Sequence, residues 1–133
     1  MKLESLKLVN FQIHHNEKGK LVPFYFEDFD FSPVRSFLVT DVPKGETRGY
    51  HAHRNTHQVL ICISGKISIK IDNGKWSSCE ALENFTGVIQ RPMEWSEIKF
   101  LEDNSSLLVF SSSEYDESDY IRDYETFLLE AQS

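Results

Sequence analysis

Apolar and polar residues alternate along much of this chain, and the alternation predicts a fold made of short strands. The clearest case is the segment 66–72, in which every second residue is an isoleucine. Because successive side chains of a strand point to opposite faces, we expect the isoleucines to be buried and the polar residues to face outward. The two sets are Ile67, Ile69 and Ile71 on one face, and Ser68, Lys70 and Asp72 on the other.

Turn residues divide the rest of the chain into similar pieces. Strands are predicted at 6–13, 21–27, 34–42, 59–63, 85–90, 95–100 and 106–112. The apolar run 59–63 predicts a strand buried on both faces, Pro23 favours an edge position, and Asn73-Gly74 predicts a type I′ hairpin turn. Apolar residues at helical spacing over 120–130 predict one short helix. We therefore expect a single all-β domain over residues 1–133, a sandwich or barrel with a C-terminal helix.

Composition and charge limit the partners of the protein. The formal net charge is −7, which disfavours nucleic-acid binding, and no run of about 18 apolar residues predicts a membrane span. Two cysteines make no disulfide framework, and residues 1–7 lack a signal-peptide core, so we expect a cytoplasmic location. The acidic residues near the C-terminus are interpreted as a solvated face; they are Glu114, Asp116, Glu117, Asp119, Asp123, Glu125 and Glu130.

Two histidines carry the candidate chemistry. His51 and His53 follow the glycine turn at Gly45. Residues two apart on a strand face the same side, so both rings are expected to project together. Two titratable rings side by side indicate either a metal site or proton-transfer chemistry.

The spacing around these histidines resembles the first cupin motif. Gly45 is followed after five residues by His51-x-His53, after four more by Gln58, and after six more by Gly65. The resemblance implies a cupin (RmlC-like) antiparallel jelly-roll barrel. It also implies that Gln58 lies on the hairpin partner of the histidine strand.

The residues that would complete a cupin metal centre are replaced in this chain. The resemblance implies a glutamate where Gln58 stands and a further histidine where Trp95 stands. An amide is a weaker ligand for a divalent cation than a carboxylate, and an indole has no lone pair to give. Parity puts His57 on the face opposite to Gln58, and His57, His14 and His15 are all expected to be exposed at the surface. We therefore expect no metal and a pocket in which a histidine acts as a general base.

Longer stretches of the sequence resemble one particular family of cupins. They are Arg48–His53, Gln58–Gly65, Asp72–Gly74, Leu107–Ser112 and Tyr115–Tyr124. Together they look like the WxcM-like cupins, over roughly residues 18–128. This family includes the sugar 3,4-ketoisomerases that act on dTDP-4-keto-6-deoxyglucose.

The resemblance implies a reaction and roles for particular residues. A 4-keto sugar loses its C3 proton, and the enediol is reprotonated at C4, which leaves the ketone at C3. His51 and His53 would be the proton-transfer pair, and Arg48 would lie near the developing oxyanion or the diphosphate. Trp95 or Tyr50 would stack on thymine. The family further implies a dTDP-linked keto-deoxy sugar as ligand, no cofactor, a homodimer with exchanged N-terminal strands, and a role in cell-surface polysaccharide synthesis.

Three positions depart from the family pattern. The ketoisomerases carry a tyrosine where this chain has Phe37, a histidine or arginine where it has Ser96, and an arginine or tyrosine where it has Lys18. These residues would line the substrate pocket. Two other functions stay open at this point: a non-catalytic cupin that binds a nucleotide sugar, and a metal-dependent cupin enzyme. A 3,5-epimerase of keto sugars fits the local motifs less well.

Overall fold

A computed structural model describes residues 6–132 of the chain. Its strands are β1 Leu8–Asn10, β2 His14–Asn16, β3 Gly19–Leu21, β4 Arg35–Val39, β5 Thr47–His53, β6 Gln58–Ser64, β7 Ile67–Asp72, β8 Ser77–Leu82, β9 Thr86–Gln90, β10 Trp95–Phe100, β11 Ser106–Ser111 and β12 Tyr120–Ile121. Two 3-10 helices span Phe26–Asp28 and Glu117–Asp119, and the helix α1 spans Tyr124–Ala131. No helix in this range is long and apolar enough to cross a membrane.

The strands form two five-stranded antiparallel sheets and one small hairpin. The first sheet has the order β1-β9-β6-β11-β4, and the second has the order β12-β5-β10-β7-β8, while β2 pairs only with β3. From β4 onward the chain passes from one sheet to the other at nearly every connection. This is the jelly-roll arrangement, so the predicted all-β fold with a C-terminal helix is confirmed.

Each sheet is covered on both faces. The inner faces enclose the central core, to which Leu60, Ile69 and Phe100 belong. The outer face of the first sheet, with Val59 and Ile61, is covered by a phenylalanine-rich segment before β4. Burial on both sides explains the continuous apolar run of β6, as predicted. The outer face of the second sheet is covered by α1.

Several predicted boundaries are wrong. The strand predicted at 21–27 ends at Leu21, and a 3-10 helix follows at Phe26–Asp28. The helix predicted over 120–130 begins only at Tyr124, because residues 120–121 pair with β5. Asn73-Gly74 does not form a two-residue turn: Asp72 pairs with Ser77, which leaves a four-residue loop.

The outward face of β7 differs from the prediction at one residue. Asp72 is only 7% exposed, because α1 covers it and the Tyr124 hydroxyl donates a hydrogen bond to its carboxylate. The strand β8 was not predicted, since its polar sequence Ser77–Leu82 carries little apolar signal. It is held by pairing with β7 along its full length.

Candidate active site

A cavity of about 210 Å³ lies between the two sheets. Its apolar part is formed by residues of the central core: Val39, Leu60, Ile98, Phe100, Leu107 and Val109. Polar and charged side chains line the remainder, and two exposed arginines, Arg48 and Arg122, flank its mouth. A concave site of this composition can hold part of a small ligand and orient it by a few polar contacts.

A β-bulge sets the cavity-facing side chains of β5. His51 pairs with Ser96 and Arg48 pairs with Ile98, so one extra residue lies in β5 between these two pairs. Ser96 and Ile98 are two apart and share a face, and the bulge therefore brings Arg48 and His51 to that same face. Tyr50, at the bulge, has a φ of 58° and a side chain that is 49% exposed.

His51 is held with one nitrogen free to act as a base. Its Nδ1 lies 3.1 Å from the carbonyl oxygen of Gly49. A carbonyl oxygen only accepts, so Nδ1 carries the hydrogen and Nε2 keeps the lone pair. Burial disfavours the charged ring, and the neighbouring His53 adds to this, so the pKa of His51 falls to about 4. The ring is therefore neutral near pH 7.

His53 lies behind His51, deeper in the protein. It is 2% exposed, and the two ring centroids are 5.1 Å apart with the ring planes nearly perpendicular at 88°. Nδ1 of His53 is 3.0 Å from the Asp119 carboxylate. Its Nε2 is buried and has no hydrogen-bond partner within residues 6–132. Burial, with a smaller contribution from the cations Arg35 and Arg122, lowers the pKa of His53 although Asp119 acts in the opposite direction, so this ring is also neutral near pH 7.

Asp119 is a buried carboxylate that accepts three hydrogen bonds. Besides His53, it accepts hydrogen bonds from the Thr56 hydroxyl and, at 2.7 Å, from the backbone amide of Asn55. Burial alone would raise the pKa of Asp119, but these three donors together hold it below its usual value. The carboxylate is therefore ionised and rigidly placed beside His53.

Tyr120 and Arg122 close the side of the cavity next to the histidines. The Tyr120 ring lies 5.0 Å from the His51 ring and 4.4 Å from the His53 ring, between centroids. The Arg122 guanidinium stacks on Tyr120 at 4.2 Å. Two contacts to Glu117, at 2.7 and 2.9 Å, fix the guanidinium in a bidentate ion pair. A cation is thus held at the cavity wall by an aromatic ring and a carboxylate.

Uncharged polar groups face each other across the cavity. Gln58 and Gln90 pair with one another on β6 and β9 of the first sheet, and Ser96 lies beside His51 on the second. The Ser96 hydroxyl and the Gln90 side-chain oxygen are buried and have no hydrogen-bond partner among the described residues. Buried polar groups left in this state are ready to bind the hydroxyl groups of a ligand.

Five residues predicted for the site lie together in the cavity wall. They are His51, Arg48, Gln58, Ser96 and Phe37. His53 is directly behind them, in contact with His51. The Arg35 guanidinium lies over the Phe37 ring, 4.9 Å from the ring centroid. Phe37 supplies no hydroxyl group to the site.

Trp95 was predicted in the pocket, and this is wrong. It is 3% exposed on the outer face of the second sheet, where it packs against Tyr124 and Phe127 of α1 at ring distances of 5.2 and 5.7 Å. Since neighbouring residues of a strand alternate faces, the next residue, Ser96, points into the cavity instead. The prediction was therefore right for Ser96 and wrong for the face of Trp95.

Tyr50 and Lys18 also lie outside the cavity of this chain. Tyr50 points away from it because the bulge turns its side chain outward. Lys18 lies in the exposed turn between β2 and β3.

Two further predictions about neighbouring residues need correction. Gln58 was expected on a hairpin partner of the histidine strand, but β5 and β6 belong to opposite sheets. His57 does face away from the cavity, yet it is half-buried and stacks on Phe31 at 5.8 Å, so it is not a surface histidine. His14 and His15 are exposed, as predicted.

Sequence reasoning missed four residues of the site: Gln90, Asp119, Tyr120 and Arg122. Asp119 was counted in the solvated acidic face, but it is 8% exposed. Asp119, Tyr120 and Arg122 lie in the stretch Tyr115–Tyr124, which contributes to the family resemblance. The sequence of this stretch does not indicate that it pairs with β5. Within residues 6–132, no three His, Cys, Asp or Glu side chains are grouped so that they could hold a metal ion.

The chain matches the family model described as FdtA: WxcM-like, C-terminal, over residues 4–132. It belongs to this family. It is 32% identical over 123 residues to the TDP-4-oxo-6-deoxy-alpha-D-glucose-3,4-oxoisomerase of Aneurinibacillus thermoaerophilus, covering 91% of this chain and 88% of that protein. The predicted resemblance is thereby confirmed.

Solved structures give the same relationship. QdtA, a sugar 3,4-ketoisomerase from Thermoanaerobacterium thermosaccharolyticum solved with TDP, superimposes with a TM-score of 0.90 at 34% identity, over 98% of this chain and 97% of that one. A histidine-to-asparagine variant of QdtA, solved with TDP-4-keto-6-deoxyglucose, has a TM-score of 0.90 at 33% identity, over 98% and 96% of the two chains.

Proposed function

We propose that this protein is a nucleotide-sugar 3,4-ketoisomerase, a single catalytic domain that converts a dTDP-linked 4-keto-6-deoxy sugar to its 3-keto isomer. The observation that carries the proposal is the neutral His51 ring, whose basic Nε2 belongs to a cavity lined with polar groups. The A. thermoaerophilus relative and QdtA are named for the same class of reaction. The substrate class follows from those names and from the arginines at the cavity mouth.

The reaction moves one hydrogen between neighbouring carbons. Nε2 of His51 removes the proton from C3, the electrons of that bond form a C3–C4 double bond, and the C4 carbonyl oxygen becomes the enediolate oxygen. The hydrogen of the C3 hydroxyl passes to that oxygen, the carbonyl forms at C3, and the His51 imidazolium returns its proton to C4. The atoms balance without an oxidant, a reductant or a cofactor. A neutral ring can accept the proton at Nε2, and the imidazolium that forms can return it.

The remaining polar groups bind the substrate. Arg122, and Arg48 at the cavity mouth, supply positive charge for the diphosphate or for the enediolate oxygen. Gln58, Gln90 and Ser96 donate to and accept from the hydroxyl groups of the sugar. His53 supports His51 from behind and does not touch the substrate.

Turnover of TDP-4-keto-6-deoxyglucose tests the proposal directly. The purified protein is mixed with this sugar, and the product is followed by proton NMR for the appearance of the 3-keto isomer. The expected result is conversion by the parent protein and by His57→Asn, a matched control whose ring faces the opposite side of the sheet. Binding of TDP by the parent without turnover of any keto sugar would contradict an isomerase and favour a binding-only role, for which Phe37 in place of a hydroxyl is the supporting observation.

We also propose that the active form is a homodimer in the cytoplasm that serves cell-surface polysaccharide synthesis. The location and the pathway follow from the family resemblance. For the dimer, the support is an exposed apolar surface at the edge strand β4, where Leu38 is 58% exposed and Val34 is 61% exposed. An exchange of N-terminal strands would bring Lys18 of one chain toward its partner. Light scattering of the parent and of Leu38→Glu should give a dimer and a monomer; a parent monomer would contradict this part of the proposal.

A further inference from the structure

We propose that Asp119 is a positioning residue for the reaction: its carboxylate holds His53 as the Nδ1–H tautomer and places a negative charge behind the histidine pair. The inference rests on the proposed function. Neither the composition of the chain nor the cupin motif indicates a functional role for Asp119. This role rests on the 3.0 Å contact between His53 Nδ1 and the carboxylate, and on the burial of both side chains at 2% and 8% exposure.

The contact fixes the tautomer of His53. An ionised carboxylate only accepts, so Nδ1 of His53 must carry the hydrogen, and Nε2 keeps its lone pair. Because Nε2 lies on the other side of the ring from Nδ1, that lone pair is directed away from Asp119. Its atom is buried and has no partner within residues 6–132, so nothing else in this part of the chain sets the tautomer.

The charge of Asp119 acts on His51 through His53. During the reaction His51 takes a proton and becomes a cation, 5.1 Å from the His53 ring. Neutral His53 and ionised Asp119 together carry a net negative charge, which stabilises the His51 cation in a site shielded from water. Without Asp119, the neutral His53 ring would offer the His51 cation only its dipole and no negative charge.

The other donors to Asp119 make the effect of Asp119→Asn predictable. The Asn55 backbone amide is a donor that cannot reverse, so the new amide must place its oxygen there. Its NH₂ group then occupies the position next to His53 and Thr56. The Thr56 hydroxyl can turn and accept, since it also bonds Ser113 Oγ at 2.6 Å in a pair where either oxygen can donate. His53 Nδ1 must then accept as well, which moves the ring hydrogen to Nε2.

The experiment is a long-range proton–nitrogen NMR correlation on protein labelled in its histidine rings, together with steady-state kinetics on TDP-4-keto-6-deoxyglucose. In the parent, His53 should show a protonated Nδ1 and an unprotonated Nε2. In Asp119→Asn the pattern should be inverted, and kcat should fall by about 10-fold or more with KM changed by less than about 3-fold. A purely structural role for Asp119 would not invert the tautomer.

Asp116→Asn is the matched control. Asp116 is exposed and caps the 3-10 helix Glu117–Asp119 by accepting a hydrogen bond from the Ser118 amide at 3.1 Å. Its replacement by asparagine removes one negative charge from the segment that contains Asp119. It should leave the His53 spectrum and kcat unchanged. Should Asp119→Asn fail to fold, the parent spectrum alone decides: a protonated Nε2 on His53 would overturn the proposal.

The two proposals fail in different ways. A parent protein that does not isomerise the keto sugar contradicts the proposed function, whatever the NMR spectrum shows. A parent that turns over, with Asp119→Asn equally active or with an unchanged tautomer, overturns only the role assigned to Asp119.

Discussion

Nδ1 of His51 donates a hydrogen bond to the carbonyl oxygen of Gly49, 3.1 Å away and only two residues earlier on the same strand. An ordinary strand does not bring these two atoms together, because the backbone carbonyls of a strand lie in the plane of the sheet while the side chains stand out of it. The bulge at Tyr50 distorts the strand at this point and aligns the ring with Arg48. One local irregularity thus determines the orientation, the tautomer and the basic atom of the candidate base.

Replacing the base should remove the chemistry and keep binding. His51→Asn retains a polar side chain of smaller size but has no basic nitrogen, so we expect kcat to fall by about 100-fold to 10,000-fold. TDP binding, measured by calorimetry, should change by less than about 5-fold, because the arginines at the cavity mouth are untouched. Turnover by His51→Asn at more than about a tenth of the parental rate would exclude His51 as the base.

The acid dependence of the activity follows from the lowered pKa of His51. With a pKa of about 4 the ring stays unprotonated well below the ordinary histidine value of 6.5. We therefore expect kcat/KM to be flat from about pH 8 down to about pH 5.5, and to fall only as the pH approaches the folded-state pKa. A half-maximal point in kcat/KM near pH 6.5 would show that the free enzyme carries an unperturbed histidine.

The same shift predicts a loss of stability in acid. The unfolded chain binds a proton at His51 below about pH 6.5, whereas the folded chain does so only near pH 4, so the free energy of unfolding falls as the pH is lowered between these values. His51 contributes up to about 3 kcal/mol to this loss. Urea unfolding at pH 7 and pH 4.5 should show a smaller drop for His51→Asn than for the parent; equal drops would contradict the shift.

The general architecture was predictable because strand periodicity is a local signal. The run of β6 is apolar at every position, and β7 alternates strictly, so both strands follow from their own residues. The polar strand β8 has no such signal and depends on its partner. The start of α1 was placed too early because Tyr120 and Ile121 fit the helical pattern but pair with β5 instead.

The candidate site was predictable where strand alternation or a sequence motif indicates which face a side chain occupies. His51, Gln58 and Ser96 face the cavity as period-two reasoning or the family pattern implied. The assignment failed for Trp95 because a shift of one residue on a strand reverses the face. It failed for Asp119 because an acidic residue in an acidic segment resembles its exposed neighbours, and only the tertiary fold reveals its contact with His53.

A comparison of two glycines tests the importance of the bulge. Gly49 and Gly45 both have left-handed φ values, 95° and 89°, so alanine is strained at either position. An added Cβ at Gly49 would also lie 3.0 Å from the Ser96 carbonyl oxygen, whereas at Gly45 it meets nothing within 4 Å.

Gly49→Ala should therefore lower the free energy of unfolding by about 2–3 kcal/mol, against about 1 kcal/mol for Gly45→Ala. Only Gly49→Ala should reduce kcat, since it displaces the carbonyl that orients His51. Equal losses of stability and activity in the two variants, measured by chemical unfolding and turnover, would argue against this role of the bulge.

Trp95 and Ser96 provide a matched pair on opposite faces of one strand. Trp95→Phe should lose packing against α1 and lower the free energy of unfolding by about 1–2 kcal/mol, with KM within about 2-fold of the parent. Ser96→Val should raise KM by about 5-fold or more because it adds bulk inside the cavity, and it costs little stability since the hydroxyl has no partner within residues 6–132. A large increase in KM in Trp95→Phe would indicate that the indole contacts the ligand and would contradict its placement outside the cavity.

The most direct test of the account is the fate of the C3 hydrogen of the sugar. TDP-4-keto-6-deoxyglucose is incubated in deuterated water with the parent or with His51→Asn, and the C3 proton of this starting sugar is followed by NMR. Removal of that proton either exchanges it for deuterium or leads to the 3-keto isomer, which has no hydrogen at C3. We predict that the signal of the C3 proton disappears with the parent and persists with His51→Asn. Persistence of the C3 proton with the parent, or its loss at the same rate in both, would contradict proton removal by His51.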